Sequence, residues 1–410
     1  MSMLADDVAE NVGRGSMIRA MFEAGAILKK RHGEEAVCDF SLGNPDLPPP
    51  DIVAQTLIGV AGRAGEPFAL GYMPNAGLPE VREALARHLS VEQGVALAGE
   101  DVLLTCGASG GLNVLLRAVL NPGDEVLAPA PCFVEYGFYA ANCGARFRTV
   151  HTRPGTFALD IDAVDAAVTA RTRVMIINSP NNPTGQVYGR EELTALCALL
   201  REKSERFGRP LYLASDEPYR FLVYDGAEVP PLLPLYPYAV LVSSFSKSLS
   251  LPGERIGYLA LSPLMERRKQ LMDGLALCSR ILGFVNAPVV GQRLAAAALG
   301  VSVDIGVYRR RRDAMAAVLT DAGYKFLMPR GAFYFFPEAP GGDDAAFVER
   351  LRSHLVLGVP GSGFAGPGFF RLAYCVDEKV IERAAPALKK AFAETASAKA
   401  KDRHLQPYIC

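Results

Sequence analysis

Ser243-Ser244-Phe245-Ser246-Lys247-Ser248-Leu249-Ser250-Leu251-Pro252-Gly253-Glu254-Arg255-Ile256-Gly257 sets one lysine among small hydroxyl residues, with an arginine eight positions later. The apolar run Ala239-Val240-Leu241-Val242 leads into it, and Ile256-Gly257-Tyr258-Leu259-Ala260-Leu261 follows. Lys247 therefore falls just past a buried strand rather than on a solvated helix face. A lysine held there is withdrawn from water, and its amine is expected to lose protons readily and to react.

Upstream, the same arrangement recurs. Apolar runs at Asp101–Thr105, Glu125–Pro129, Thr172–Asn178 and Leu211–Ala214 each read as a strand. Each is followed by a polar or glycine-rich cluster: Cys106-Gly107-Ala108-Ser109-Gly110-Gly111, Ala130-Pro131-Cys132-Phe133, Ser179-Pro180-Asn181-Asn182-Pro183, and Ser215-Asp216-Glu217-Pro218-Tyr219. Helical stretches separate most of the runs. Continuously apolar strands alternating with helices predict an α/β fold, a large domain with a mostly parallel sheet covered on both faces. Ligands in such sheets collect at the carboxyl ends of the strands. Gly107 to Gly111, Phe133, Asn182, Asp216, Tyr219, Lys247 and Arg255 are therefore expected to converge on one site. The glycine-rich turn opening a helix suits an anion, because bare N–H groups and the helix dipole both favour negative charge.

The chain has 410 residues, half of them apolar and 21% charged, with a net charge of −1. That balance advertises neither a nucleic-acid nor a membrane surface. The polar N-terminus lacks a signal-peptide core, and a cytoplasmic location is expected. Eight cysteines form no CxxC pair, and five histidines show no HExxH spacing, so neither a disulfide framework nor a metal site is expected. The segment Asp39 to Pro50, with a glycine and four prolines, is an extended loop. Residues 1–45 read as an N-terminal arm with part of a smaller domain, and 46–295 as the large domain. Residues 296–395, with long helices and strands near Gly331–Phe336 and Phe369–Tyr374, read as a smaller α+β domain. A closing helix is predicted from about Asp377 to Thr395, with 396–410 a loose tail.

The convergent set suggests a ligand. Lys247 would attack an aldehyde. Arg255, Ser244 and Ser246, with the backbone of Gly107 to Ser109, would hold a phosphate dianion. Asp216 would pair with a cationic ring nitrogen, Phe133 would lie against a flat ring, and Asn182 and Tyr219 would bond a phenolic oxygen. An aldehyde, a phosphate, a pyridine nitrogen and a phenolate together describe pyridoxal 5′-phosphate.

On the motifs Asn182-Pro183-Thr184-Gly185, Asp216-x-x-Tyr219, Ser244-x-Ser246-Lys247 and Gly253-x-Arg255-x-Gly257, the chain resembles the fold-type-I class I/II (aspartate aminotransferase-like) aminotransferases over about residues 16 to 392. The resemblance implies amino-group transfer between an L-amino acid and a 2-oxo acid by a ping-pong Schiff-base mechanism. Lys247 would be the Schiff-base lysine and proton carrier. Asp216 would keep the ring nitrogen protonated. Asn182 and Tyr219 would stabilise the ring oxygen. Phe133 would be the stacking ring, where many relatives carry Trp or Tyr. Ala108, Ser109, Ser244 and Arg255 would bind phosphate. Tyr72 resembles a tyrosine that reaches a neighbouring subunit's phosphate, which implies a homodimer with shared sites. Arg371 resembles the arginine that clamps the substrate α-carboxylate, and Gly43 a glycine whose backbone meets the same group.

The scaffold also hosts C–S lyases, decarboxylases and synthases, and fold does not fix reaction. A ligand sensor fused to a DNA-binding module would need a longer N-terminal extension than this one. Arg19 and Arg280 are candidates to face a distal substrate carboxylate, with plain surface charges as the alternative.

Overall fold

The computed structural model describes residues 3–5, 8, 9, 12 and 17–404. In chain order its strands are β1 (Cys38–Asp39), β2 (Val102–Thr105), β3 (Glu125–Ala130), β4 (Arg146–His151), β5 (Thr172–Asn178), β6 (Tyr212–Asp216), β7 (Ala239–Ser244), β8 (Gly257–Leu261), β9 (Tyr334–Phe335), β10 (Val356–Leu357), β11 (Val359–Pro360) and β12 (Phe370–Ala373). Seven of them form the central sheet, in the order β2-β8-β7-β6-β5-β3-β4. All pairings are parallel except those of β8, which runs against both neighbours.

Side chains alternate between the faces of this sheet, as a period of two requires. Val174 and Ile176 enter one apolar cluster, with the helices Gly107–Val119 and Arg268–Ile281. Met175 and Ile177 enter the other, with the helices Pro79–Gln93, Arg190–Phe207 and Val289–Ala297. Both faces are dry, so the strands read as unbroken apolar runs. Pro79 occupies the first turn of its helix, where no amide proton is needed, and Gly94 ends that helix in the left-handed region at φ +63°.

The reversal of β8 positions the site. Its first residue, Gly257, pairs with Ser244 at the end of β7 and with Thr105 at the end of β2. Arg255, just before β8, thus arrives at the edge where the parallel strands deliver Gly107 and Lys247. The approach is tight. A Cβ on Gly257 would lie 2.5 Å from the Ser243 carbonyl oxygen and 2.7 Å from the Gly107 carbonyl carbon.

A third apolar cluster lies apart from the central sheet. It gathers Tyr308, Met315, Phe333, Phe335, Leu351, Leu372 and Leu388, with Cys38 and Phe40 from the N-terminal segment. The three-stranded sheet β11-β12-β9 belongs to this region, and β1 pairs in parallel with β10. Tyr219, Leu222 and Tyr224 also pack here, so the stretch after β6 bridges the two cores.

Three features differ from the sequence expectations. Strand β4 has no counterpart among them: at the sheet edge all its residues but Val150 are exposed or half-buried, so no apolar run marks it. The expected strands near 331–336 and 369–374 shrink to β9 and β12. The closing helix, expected to stop near Thr395, runs Glu378–His404, so nine residues assigned to a loose tail are helical. Positions 405–410 lie outside the described residues.

Gly257→Ala is expected to destabilise the fold by about 1–3 kcal/mol, the usual cost of an overpacked contact that backbone must absorb. Urea unfolding with an unchanged slope and a lower midpoint is the expected record.

Candidate active site

A cleft of about 260 Å³ opens where the parallel strands end. Leu42, Gly43, Ala108, Ser109, Phe133, Asn182, Asp216, Tyr219, Ser244, Ser246, Lys247, Arg255, Tyr334 and Arg371 all line it. Of the expected site residues within the described ones, Gly107, Gly110, Gly111, Tyr72 and Arg280 are missing from its wall. Gly107 stands directly behind it: at φ +71° it presses close to Arg255, and a Cβ there would lie 2.9 Å from Nη2.

Lys247 sits on the single helical turn Phe245–Ser248 that follows β7. Its Nζ donates to the Gly43 carbonyl at 2.6 Å and lies 5.6 Å from the centre of the Phe333 ring. The residue is half-buried, and burial of the amine is the main cause that lowers its pKa to about 8, with the Arg371 and Arg255 cations adding to the effect. A minor neutral fraction therefore exists near neutrality and grows as pH rises towards that value.

Asp216 ends β6, and Oδ2 accepts the Tyr136 hydroxyl at 2.6 Å. Oδ1, equally buried, has no partner among the described residues. Burial pushes the carboxyl up to about 7; Tyr136 opposes that shift, and the neighbouring Glu217 adds to it. A buried carboxylate oxygen without a donor is costly. The arrangement suits a cationic N–H at Oδ1.

Arg371, on β12, is buried, and burial lowers its pKa. An arginine nevertheless stays charged. Nη1 donates to Asn182 Oδ1 at 2.9 Å and Nη2 to the Ser41 carbonyl at 2.5 Å. Its guanidinium lies 4.7 Å from the ring centres of Tyr334 and Phe364. Nε has no partner among the described residues, so the fork is held but not saturated.

At the opposite end, Ala108 and Ser109 begin the helix Gly107–Val119, beside Ser244, Ser246 and Arg255. Arg255 takes the left-handed conformation (φ 51°) and donates to the Pro252 carbonyl. This end offers hydroxyls, a helix N-terminus and a guanidinium to an anion. Phe133 flanks the cleft and meets Tyr136 edge-on at 5.7 Å.

The remaining candidates lie elsewhere. Tyr72 is 94% exposed and lines a separate depression with Phe284 and Val285. Arg280 is exposed on the helix Arg268–Ile281 and does not line the cleft. Its expected role at a distal carboxylate finds no support within one chain, because the helix turns it toward solvent. Arg19 falls on the helix Met17–His32, and its side chain lies outside the described residues. Sequence reasoning missed Tyr136 and Tyr334. Each is a tyrosine in an aromatic-rich stretch that carries no motif to single it out.

A reactive lysine, an anion cradle, an open carboxylate oxygen and a flanking ring, at the strand ends of a doubly covered sheet, define a pyridoxal-phosphate enzyme of fold type I. Comparison with known proteins narrows this. Residues 35–388 match the family model for aminotransferase class I and II, and the chain belongs to that family. It is 34% identical over 385 residues to the aspartate/prephenate aminotransferase of Thermus thermophilus, covering 90% of this chain and 95% of that one. It is 32% identical over 373 residues to the aspartate aminotransferase of Thermotoga maritima, covering 90% and 93%. Among solved structures, an amino transferase from Eubacterium rectale superposes with a TM-score of 0.91 at 37% identity, covering 96% of this chain and all of that one. The protein is accordingly a pyridoxal-phosphate-dependent aminotransferase acting on amino and 2-oxo acids. No helix among the described residues is long and apolar enough to cross a membrane.

The Asp216 carboxyl has a folded-state pKa raised above its ordinary value of 3.8. Cofactor-free protein should therefore lose stability as pH rises from about 4 through about 7, by at most about 1.4 kcal/mol per pH unit within that window. Asp216→Asn removes that loss. Urea unfolding of the two cofactor-free proteins should show the variant gaining on the parent between pH 5 and pH 8.

Proposed function

We propose that this cleft carries out transamination with the following division of labour. Ala108, Ser109, Ser244, Ser246 and Arg255 bind the phosphate of the cofactor, backed by Gly107. Asp216 Oδ1 accepts the pyridine N–H, and the Tyr136 hydroxyl fixes the carboxylate in place. Asn182 and Tyr219 face the ring oxygen, and Phe133 covers the ring. When bound, pyridoxal 5′-phosphate supplies an electron sink that stabilises negative charge at the substrate Cα. Lys247 Nζ moves the proton at that carbon, for which a pKa of about 8 suits it well. Arg371 directs its free N–H groups at the substrate α-carboxylate beside the Gly43 backbone.

The observation that carries this reading is the presence, in one cleft, of a lysine whose proton affinity burial lowers and a buried carboxylate oxygen awaiting a donor. A homodimer is part of the proposal. Tyr72, Phe68 and Leu70 project from one exposed loop, an apolar cluster suited to meeting a second copy. Cytoplasmic operation fits the seven described cysteines, all free.

Single L-amino acids added without an acceptor should convert the bound cofactor to its amine form, once per site, and stop. Continuous release of pyruvate and ammonia would instead point to a lyase. Lys247→Ala should lose turnover by at least about 10²–10⁴-fold, the usual weight of a positioned proton carrier. Lys247 must be neutral to react, so cofactor uptake by cofactor-free protein should quicken as pH rises. Stopped-flow absorbance should place the midpoint near the lysine's value of about 8.

A further inference from the structure

Tyr334 lies in the cleft wall, and neither the chemistry above nor the motifs give it a task. On β9 it pairs with Ala373 of β12, while Leu372 pairs with Phe335. Side chains two apart on a strand share a face, so Tyr334 and Arg371 are diagonal neighbours on one side of this sheet. The Arg371 guanidinium accordingly lies 4.7 Å from the centre of the Tyr334 ring. The other end of Tyr334 meets Tyr219: the hydroxyls are 2.6 Å apart, both residues are buried, and their rings cross at 86°. Gly43 presses against this pair, since a Cβ there would overlap the Tyr334 hydroxyl.

A phenol hydroxyl has one proton to give. In the contact between Tyr219 and Tyr334, one oxygen donates and the other accepts. If Tyr219 gives its proton to Tyr334, none is left for the cleft. If Tyr334 gives its proton to Tyr219, the Tyr219 proton is free to point inward, and donation received at its oxygen makes it a stronger donor.

We propose that Tyr334 is a positioning residue: its hydroxyl donates to Tyr219 and thereby turns the Tyr219 proton toward the ring oxygen of the bound cofactor, while its ring supports the Arg371 fork. The inference rests on the role assigned above to Tyr219. One residue then joins the two ends of the reaction site, the substrate carboxylate clamp and the ring oxygen. The two functions use different parts of the side chain and are separable. Tyr334→Phe keeps the ring under Arg371 and deletes only the hydroxyl.

The test follows the pH-dependent visible absorbance change of the cofactor-loaded protein, together with steady-state kinetics. Donation to an anionic ring oxygen lowers proton affinity at that end of the cofactor, so weakening it raises the midpoint. Tyr219→Phe should raise the midpoint by about one pH unit, and Tyr334→Phe by a clear fraction of that. The double variant should match Tyr219→Phe alone, because Tyr334 acts only through Tyr219. In Tyr334→Phe, KM for the amino acid should change less than about twofold while kcat falls, since the ring beneath Arg371 remains. An unmoved midpoint in Tyr334→Phe beside a shifted one in Tyr219→Phe overturns the inference. So do shifts that add in the double variant. If Tyr219→Phe itself leaves the midpoint in place, the assignment of Tyr219 to the ring oxygen is what fails.

Discussion

The Arg371 guanidinium ties together three pieces of chain that are distant in sequence. It belongs to the smaller sheet, yet it bonds Asn182 at the end of β5 and the Ser41 carbonyl just after β1. Both bonds are buried, where replacing either partner would leave a cation short of acceptors. They hold the smaller sheet over the open end of the larger one. The same cation forms part of the cleft wall. Lys247 adds a second tie to the same loop through the Gly43 carbonyl. Residues 41–43 thus become a wall of the cleft, held by two cations and pressed against Tyr334.

Electrostatics then assigns tasks to groups that sequence alone leaves equivalent. Lys247 and Arg255 are both cations on one short stretch. Burial takes proton affinity from the lysine, whereas an arginine keeps its charge. In the proposed reaction one serves as a base and the other as an anchor. Asp216 and Glu217 are adjacent carboxylates that part in the same way. Glu217 is satisfied by Ser215 and Arg220, at 2.6 and 2.7 Å. Asp216 receives one hydroxyl and keeps one oxygen open. The open oxygen is the one proposed to accept the pyridine N–H.

Much of this is legible in the sequence, and for a physical reason. Strands buried on both faces are apolar throughout, so the polar clusters ending β2, β5, β6 and β7 stand out against them. Parallel order then sends those clusters to one edge. Strand β4 cannot be found this way, because an edge strand with charged Arg146 and Arg148 has no apolar signature. Tyr136 and Tyr334 escape for a different reason. A tyrosine in an aromatic run resembles core, and only a contact 80 or 115 residues away in the chain gives it a task. Arg280 is ambiguous because the direction of a helical side chain depends on packing that spacing does not specify.

The two bonds of Arg371 span 189 and 330 residues of sequence. A chain emerging from the ribosome therefore carries Lys247, Asp216 and the anion cradle well before β12 is made. During that interval the sheet can fold around its own core while the cleft still lacks its second wall. Lys247 is thus synthesised long before both the group proposed to orient a substrate beside it and the Phe333 ring that helps to bury its amine.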